Sequence, residues 1–167
     1  MSRTIRAAAA AEWPAITGVV AEAFAAYSAF AGPGWTPPED MVSARVGERL
    51  APDDAWGAVA EEDGALVAFS AFEPARDGRD GPVVEGLAHV WAVFALPSRW
   101  GTGAAGEVLA AVVAEIGRRG YREARLFTPE LQARARAFYR REGWTERGDP
   151  LPAPPLGLDV VELRRRL

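Results

Sequence analysis

The chain has 167 residues, 49% of them hydrophobic and 25% charged, which is enough for one domain with a full core, so we expect residues 1–167 to form a single domain. Its net charge of −4 argues against broad, sequence-independent binding to nucleic acid or to an anionic membrane. The chain has no cysteine, and all 19 of its basic residues are arginines, which excludes disulfides, thiolate metal sites and nucleophilic cysteines or lysines.

The N-terminal part of the chain predicts a short strand followed by two helices. Residues 4–7 form the strand, and the alanine-rich stretch over 11–27 has its apolar residues on related faces, as is typical of a helix. Pro14 lies in the first turn of that helix, where proline is tolerated. After a loop rich in Gly and Pro, the apolar residues of 38–50 recur at helical spacing, which predicts a second helix that ends before Pro52.

The middle of the chain predicts three antiparallel strands. Strands over 56–61 and 66–72 flank the dipeptide Asp63-Gly64, which favours a tight hairpin turn because both residues tolerate positive φ. A polar loop then leads to a long strand over 87–96. We expect these three strands to lie side by side in one sheet.

The C-terminal part predicts helices that alternate with strands, and hence a mixed α/β fold with one layer of sheet. A helix over 108–116 precedes a strand over 122–127. A second helix is expected to begin at Thr128-Pro129-Glu130, where a hydroxyl cap precedes a proline, and to end at Gly143. Leu131, Ala135 and Phe138 would share one face of that helix. Two more strands, separated by a proline-rich connection over 150–155, are expected from Trp144 onward and over 158–163.

The most informative stretch is the glycine-containing turn over 100–105, which joins the long strand to a helix. Glycines allow the backbone to approach a phosphate closely, and the helix N-terminus adds unpaired N–H groups and roughly half a positive charge. A cofactor that carries a diphosphate is therefore the first functional hypothesis. The alternative is a tight turn with no ligand.

Two other phosphate-binding patterns are disfavoured. Gly101, Gly103 and Gly106 match the dinucleotide fingerprint G-x-G-x-x-G, but that fingerprint opens a βαβαβ unit and is followed by an acidic residue at the end of the second strand. Here it comes late in the chain, and the nearest acid, Glu123, precedes the strand that it should follow. A Walker-type loop is excluded because the chain has no lysine.

Three features follow one another in the order seen in a known family. The glycine turn is similar to the pattern Q/R-x-x-G-x-G/A, and a strand from Arg122 follows it after a helix of the expected length. The third feature is Gln132-x-x-Ala135-x-x-Phe138-Tyr139 with Glu142-Gly143-Trp144 after it, which is similar to an N-x-x-A-x-x-F-Y helix with a G-F ending. Together they resemble the GNAT superfamily of acyl-CoA-dependent N-acetyltransferases. Trp100 stands where Gln or Arg is usual, and Gln132 where Asn is usual.

The resemblance implies a mostly antiparallel mixed sheet, splayed at its central strands and flanked by about four helices, with acetyl-CoA bound in the gap as co-substrate. The strand before the turn would contact the pantetheine arm, and the turn would bind the pyrophosphate. The implied cofactor-binding residues are Val93, Phe94, Ala95, Trp100, Gly101, Thr102, Gly103, Ala104, Ala105 and Gln132. Arg99, beside the turn, is a further candidate for a phosphate contact.

Acetyl transfer to an amine needs a proton acceptor and a group that protonates the departing thiolate. The resemblance puts Tyr139 at the family's tyrosine, which acts as general acid; its alternative is a half-buried aromatic. His89 lies near the position of the family's carboxylate base, on the face expected to carry Trp91 and Val93, and a neutral imidazole suits this role. The alternative for His89 is a structural histidine. Glu85 is the competing base, acting through a water chain.

The acceptor is not readable from the residues, and a small-molecule amine and a protein N-terminus both fit. We expect neither nucleic acid nor membrane as a partner, and a homodimer on the basis of the family alone. A metal is not expected, because His89 is the single histidine and the carboxylates lack EF-hand spacing. The chain also lacks a signal-peptide pattern and a run of roughly 18 apolar residues, so we expect a cytoplasmic protein. The alternative function is a non-catalytic GNAT-like module that binds CoA for regulation.

Overall fold

A computed structural model describes residues 2–167 as a seven-stranded sheet with helices on both faces. In chain order the elements are β1 (Arg3–Ala7), α1 (Trp13–Ala25), α2 (Ser28–Ala31), α3 (Arg45–Leu50), β2 (Trp56–Glu62), β3 (Ala65–Arg76), β4 (Val83–Ala95), α4 (Ala104–Arg118), β5 (Glu123–Pro129), α5 (Ala133–Arg141), β6 (Thr145–Ala153) and β7 (Leu158–Arg166). Single-turn α2 aside, four helices flank the sheet in the described part of the chain. This arrangement confirms the predicted mixed α/β class.

The sheet is splayed between its central strands. The strand order is β1-β2-β3-β4-β5-β7-β6, and among the described residues β4 and β5 form the one parallel pair. That pairing covers only Leu87–His89 opposite Glu123–Arg125, although β4 continues to Ala95 and β5 to Pro129. The two strands therefore diverge beyond His89, as the sequence led us to expect.

A β-bulge in β4 decides which side chains face which layer. Adjacent residues 71–72 of β3 pair with residues two apart in β4, so Trp91 is an inserted residue. Trp91 packs toward α1, whereas Val93 packs toward α4. The prediction that Val93 shares a face with His89 and Trp91 was wrong, because the bulge reverses the alternation of side chains along the strand.

The core lies in two layers, one on each face of the sheet. On one face α1 and α3 pack on the sheet through apolar side chains such as Ile16, Val20 and Val46. On the other face α4 contributes Val108 and Val112, which follow each other at helical spacing. Both layers meet at β4, so this strand is held from both faces near the point where it leaves β5.

One apolar segment departs from the expectation that no run is long enough to cross a membrane. Ala10–Ala31 is helical for much of its 22 residues, has a mean hydropathy of 1.3, and by length and composition alone could cross a bilayer. In the structure Ile16, Val20 and Phe24 from this segment are buried against the sheet. The apolar character of α1 is therefore accounted for by its place in the core of the domain.

The expected helix over 38–50 is broken into two pieces. A single 3-10 turn spans Glu39–Met41, and α3 begins only at Arg45. Val42 has φ −127° and ψ 26°, which lie outside the helical region, and the Ser43 hydroxyl accepts a hydrogen bond from the Arg45 N–H at 3.3 Å. A side chain that bonds to nearby backbone in this way competes with a continuous helix.

The predicted start of the last helix was also wrong. Thr128 and Pro129 end β5, where they lie opposite Val161 and Val160 of β7, and α5 begins four residues later. Leu131, expected on the helix face of Ala135 and Phe138, lies before the helix and is 66% exposed. A cap-like Thr-Pro pair is compatible with the end of a strand as well, because proline is tolerated there.

The proline-rich connection expected over 150–155 is largely strand. β6 runs from Thr145 to Ala153 and thus includes Pro150 and Pro152. It forms one edge of the sheet, with β7 as its neighbour. Proline removes a backbone N–H, and an edge strand tolerates this loss on its solvent side.

Candidate functional site

A cavity of about 380 Å³ opens where β4 and β5 diverge. Its walls come from the end of β4, the glycine turn, the start of α4, β5 and α5. The structure therefore brings together most of the residues predicted to bind a cofactor. Those that line the cavity are Val93, Phe94, Ala95, Arg99, Trp100, Gly101, Gly103, Ala104, Ala105 and Gln132.

The glycine turn has the backbone conformation that a phosphate site needs. Gly101 and Gly103 have φ values of +76° and +90°, which side chains other than glycine rarely allow. A Cβ built on Gly101 would meet nothing within 4 Å, so the space above this residue is open. The first bond within α4 joins the Glu107 N–H to the Gly103 carbonyl, which leaves the N–H groups of Ala104–Gly106 without a helical acceptor. The turn is therefore suited to an anion.

The end of β4 presents a free edge to the cavity. Val93, Phe94 and Ala95 pair with β3 along their other edge. Since the pairing of β4 with β5 ends at His89, the backbone groups on the cavity side have no strand opposite them in the described chain. This edge can therefore hydrogen-bond an extended ligand lying in the gap, as an added strand would.

Trp100 forms part of the cavity wall instead of the Gln or Arg that is usual at its position. Its indole N–H donates to the Ala95 carbonyl at 3.2 Å, and Cζ of Arg134 lies 4.2 Å from the centre of its ring. A guanidinium over an indole face is an attractive cation–π contact. Both residues line the cavity, so the substitution builds a Trp–Arg stack at its mouth. Arg134 was not recognised as a site residue from the sequence.

A buried carboxylate holds two arginines that lie against the glycine turn. Glu62, which is 6% exposed, accepts hydrogen bonds from Arg99 Nε at 2.6 Å and from Arg3 Nε at 3.0 Å. Arg3 also donates to the Thr102 hydroxyl at 2.9 Å and to Glu107 at 2.8 Å. Arg99 is thus partly occupied by Glu62, which reduces its freedom to reach a phosphate. Thr102 turns toward this support and is absent from the cavity lining.

We expect Glu62→Gln to weaken acetyl-CoA binding and to lower the stability of the fold near neutral pH, where the wild-type carboxylate is ionised. Hydrogen bonding from Arg99 holds the pKa of Glu62 below its ordinary value of 4.5. A lowered carboxyl pKa stabilises the folded state above the ordinary value, and this stabilisation disappears as the pH falls through the lowered value. Thermal unfolding followed below pH 4.5 should therefore show a weaker pH dependence in the variant than in the wild type. Calorimetry should show weaker acetyl-CoA binding, and equal values in both measurements would contradict the supporting role.

Two tyrosines line the cavity. Tyr139 comes from α5, as the resemblance implied, and Tyr27 comes from the turn between α1 and α2. Burial raises the pKa of both phenols above the ordinary value of 10, and the pKa of Tyr139 is raised further by Tyr27. Both phenols are therefore protonated near neutral pH and are able to donate a hydrogen bond. Tyr27 was not recognised from the sequence, where it reads only as the end of an apolar helix.

His89 lies beside this cavity and does not form its wall. The residue keeps some exposure, but its Nδ1 is buried and has no hydrogen-bond partner among residues 2–167. Burial, and then the charges of Arg125 and Arg49, lower the pKa of His89 to about 3. The imidazole is therefore neutral at physiological pH, but it is a much weaker base than the sequence led us to expect.

Glu85 lies in a second cavity, of about 660 Å³, which is lined by the first residues of β4 and by β5 and β7. Phe127 lines both cavities, so the two are neighbours that share this side chain. The His89 ring lies next to this phenyl group, with 5.7 Å between ring centres. The structure thus separates Glu85 from Tyr139 and places His89 near the wall between the cavities.

The comparisons with known proteins agree with this architecture. The family model described as Acetyltransferase (GNAT) family matches residues 21–144. This range contains the glycine turn, both tyrosines of the first cavity and His89. No curated protein sequence matches the chain.

Solved structures with the same fold cover nearly the whole chain. An N-acetyltransferase from Staphylococcus aureus Mu50 superposes with a TM-score of 0.78 at 18% identity, covering 99% of both chains. A ribosomal-protein-alanine N-acetyltransferase from Brucella melitensis gives 0.75 at 20% identity, over 98% of this chain and 99% of its own. The PaiA N-acetyltransferase from Thermoplasma acidophilum, solved with coenzyme A, gives 0.71 at 15% identity over 100% of both. At these identities the likeness establishes the fold alone.

Proposed function

The chain belongs to the GNAT acetyltransferase family, and from this membership we propose that it transfers an acetyl group from acetyl-CoA directly to the nitrogen of an amine. The observation that carries the proposal is the first cavity, in which a glycine turn at a helix N-terminus and a buried tyrosine face the free edge of β4. An N-acetyltransferase of the same fold was solved with coenzyme A. Acetyl-CoA supplies an activated acetyl thioester.

The binding residues in this proposal follow the wall of the cavity. The backbone at Val93–Ala95 would hold the pantetheine arm, because its cavity-side groups have no strand opposite them; of these, the Ala95 carbonyl already accepts a hydrogen bond from the Trp100 indole. Residues Gly101–Ala105 and the N-terminus of α4 would hold the pyrophosphate through backbone N–H groups. Gln132 and Trp100 line the same space, and Arg99 would contribute positive charge near the turn although Glu62 holds its Nε.

Tyr139 is the proposed general acid. Its phenol stays protonated because burial raises its pKa, and its position in the wall of the cavity fits donation to a departing thiolate. Direct transfer needs no covalent link to the protein, and the chain has no cysteine that would form one. Tyr27 lines the same cavity and is the alternative donor.

The proton of the amine requires a separate acceptor. Of the two candidates from the sequence, His89 has a pKa of about 3, which leaves it a poor acceptor for the proton of an alkylammonium. Glu85 lines the neighbouring cavity and could receive the proton through water there. We therefore give the role of base to Glu85 and give neutral His89 the role of a positioning residue beside Phe127.

The pH dependence of kcat/KM distinguishes these roles. We expect His89→Gln to keep the acidic limb of the profile where the wild type has it, since a group with a pKa of about 3 titrates well below the limb of an amine acetyltransferase. Glu85→Gln should shift or remove that limb. Loss of the limb in His89→Gln would instead make His89 the base, and a limb that survives in both variants would report ionisation of the amine itself.

Calorimetric titration with acetyl-CoA is the test of the cofactor. Binding in the micromolar range with a single site would support the proposal, and no binding at millimolar acetyl-CoA would remove it. Tight binding with no release of CoA, over a panel of amines, would favour the non-catalytic module. A neighbour named for ribosomal-protein alanine acetylation supports including peptide N-termini in the panel beside small amines.

We further propose that the protein is cytoplasmic and that it forms a homodimer. Cell fractionation tests the location, and light scattering tests the oligomeric state.

A further inference from the structure

We propose that the acceptor is a small amine that also carries a carboxylate, as an amino acid does, and that Arg125 in the second cavity binds this carboxylate. The inference rests on the proposed function, because it assigns the acceptor side of the same site. It starts from the second cavity, which shares Phe127 with the first one. A ligand in the second cavity would therefore lie next to the place where an acetyl group is transferred.

Arg125 forms no ion pair, and it is the one arginine in the described chain that has a buried side-chain nitrogen without a hydrogen-bond partner. Its Nη1 donates to the Arg76 carbonyl at 3.2 Å, but its Nε is buried and has no partner among residues 2–167. Cζ of Arg125 lies 5.2 Å from the centre of the Phe127 ring, which directs part of the guanidinium toward the wall between the cavities. Arg125 as a whole is half-buried, and a buried donor such as its Nε is costly to leave without a partner.

Four arginines and four carboxylates line the second cavity, so its formal charges balance and the preference for an anion rests on Arg125. Arg164 is paired with two of the lining carboxylates, Glu123 at 2.5 Å and Glu162 at 2.9 Å. Of the remaining charged residues that line it, three are arginines and two are carboxylates, and none of them is in an ion pair within the described chain: Arg122, Arg125, Arg166, Asp77 and Glu85. Arg125 is the one among the three arginines with a buried unpartnered donor. A guanidinium in this state matches the fork geometry of a carboxylate.

The spacing along β5 fits a small acceptor. Arg125 and Phe127 lie two residues apart on one face of the strand, which corresponds to roughly 7 Å. If an amino acid binds Arg125 through its carboxylate, about 3 Å of this distance is the hydrogen bond itself. The amino acid spans the rest, so its amino group would reach Phe127. Glu85 lines the same cavity and would be available to the ammonium group.

The test compares matched pairs of acceptors. Each pair consists of an amino acid and its carboxamide, which keep the same side chain and differ in the negative charge. With the wild type we expect KM for the amino acid to be at least ~10-fold lower than for the carboxamide, as expected for a hydrogen-bonded charge pair. In Arg125→Gln this preference should fall to about twofold or less, while Arg125→Lys should keep part of it.

A second arginine variant and a binding measurement keep the outcomes distinct. Arg45→Gln, at an exposed position on α3 that lines neither cavity, should keep the full preference. If acetyl-CoA fails to bind the wild type, the proposed function itself is lost. If acetyl-CoA binds and the two members of each pair have equal KM values, or if a peptide with a blocked C-terminus is the better acceptor, the carboxylate site is overturned. Unchanged acetyl-CoA binding by Arg125→Gln shows that the variant is folded.

Discussion

Tyr139→Phe is expected to lower kcat by about 100-fold or more while the dissociation constant of acetyl-CoA changes by less than about threefold. A positioned general acid contributes on the order of 10²- to 10⁴-fold to a rate. The phenol is protonated because burial raises its pKa, and the variant removes only the hydroxyl group, so the packing of the ring against Phe138 and Trp144 is preserved. Steady-state kinetics with saturating acetyl-CoA, together with calorimetry, measures both quantities.

Two other tyrosine variants make this result specific. Tyr121→Phe removes a phenol that packs on Phe72 and lines neither cavity, so its kcat should stay within about twofold of the wild type. Tyr27→Phe removes the second hydroxyl of the first cavity and should have a much smaller effect than Tyr139→Phe. A large loss in Tyr27→Phe with little change in Tyr139→Phe would exchange the roles of the two tyrosines.

Gly101→Ala is expected to raise the dissociation constant of acetyl-CoA by about 10- to 100-fold. The added Cβ meets nothing of the protein within 4 Å and would point into the open space where the pyrophosphate is proposed to bind. Displacing a phosphate from charge-assisted hydrogen bonds costs about 1.5–3 kcal/mol for each bond lost. At about 1.4 kcal/mol for each tenfold change, this corresponds to the expected range. Calorimetry with acetyl-CoA measures the change directly.

Gly120→Ala is the matched control for the backbone strain in this variant. Gly120 has φ +88° and Gly101 has φ +76°, and a Cβ at either position would meet nothing within 4 Å. Both variants should therefore lose a similar amount of thermal stability, about 1–2 kcal/mol for a left-handed residue. Gly120 lies outside both cavities, so acetyl-CoA binding should survive there. Equal loss of acetyl-CoA binding in the two variants would mean that lost stability, and not a blocked pyrophosphate site at the glycine turn, explains the result for Gly101→Ala.

The sequence predicted the parts of the site that depend on neighbouring residues. The glycine turn has positive φ at Gly101 and Gly103. Glycine is the residue that tolerates this conformation, so its presence in the sequence indicated the turn. The helix that carries Tyr139 was found from its spacing, although its start was misplaced by the Thr128-Pro129 pair. The hairpin at Asp63-Gly64 was predicted correctly, because turn chemistry is also local.

The remaining parts depend on contacts between distant residues and could not be read in advance. The bulge at Trp91 has no marker in an apolar strand, yet it changes the faces of the residues that follow. Glu62 supports the glycine turn through Arg3 and Arg99, which are brought to it only by the pairing of β1 with β2 and by the end of β4. The low pKa of His89 follows from burial and from two arginines on other elements, so the residue type alone suggested a stronger base.

The most direct measurement is the stoichiometry of transfer. The wild type is incubated with acetyl-CoA and the amine panel, and free CoA thiol and acetylated amine are both quantified, by a thiol reagent and by mass spectrometry. Acetyl transfer predicts one acetylated nitrogen for each CoA released, at a rate that Tyr139→Phe lowers by about 100-fold or more. Two results would contradict the proposed acetyl transfer. One is that acetyl-CoA binds but is not consumed with any amine, and the other is that the wild type and Tyr139→Phe release CoA at the same rate.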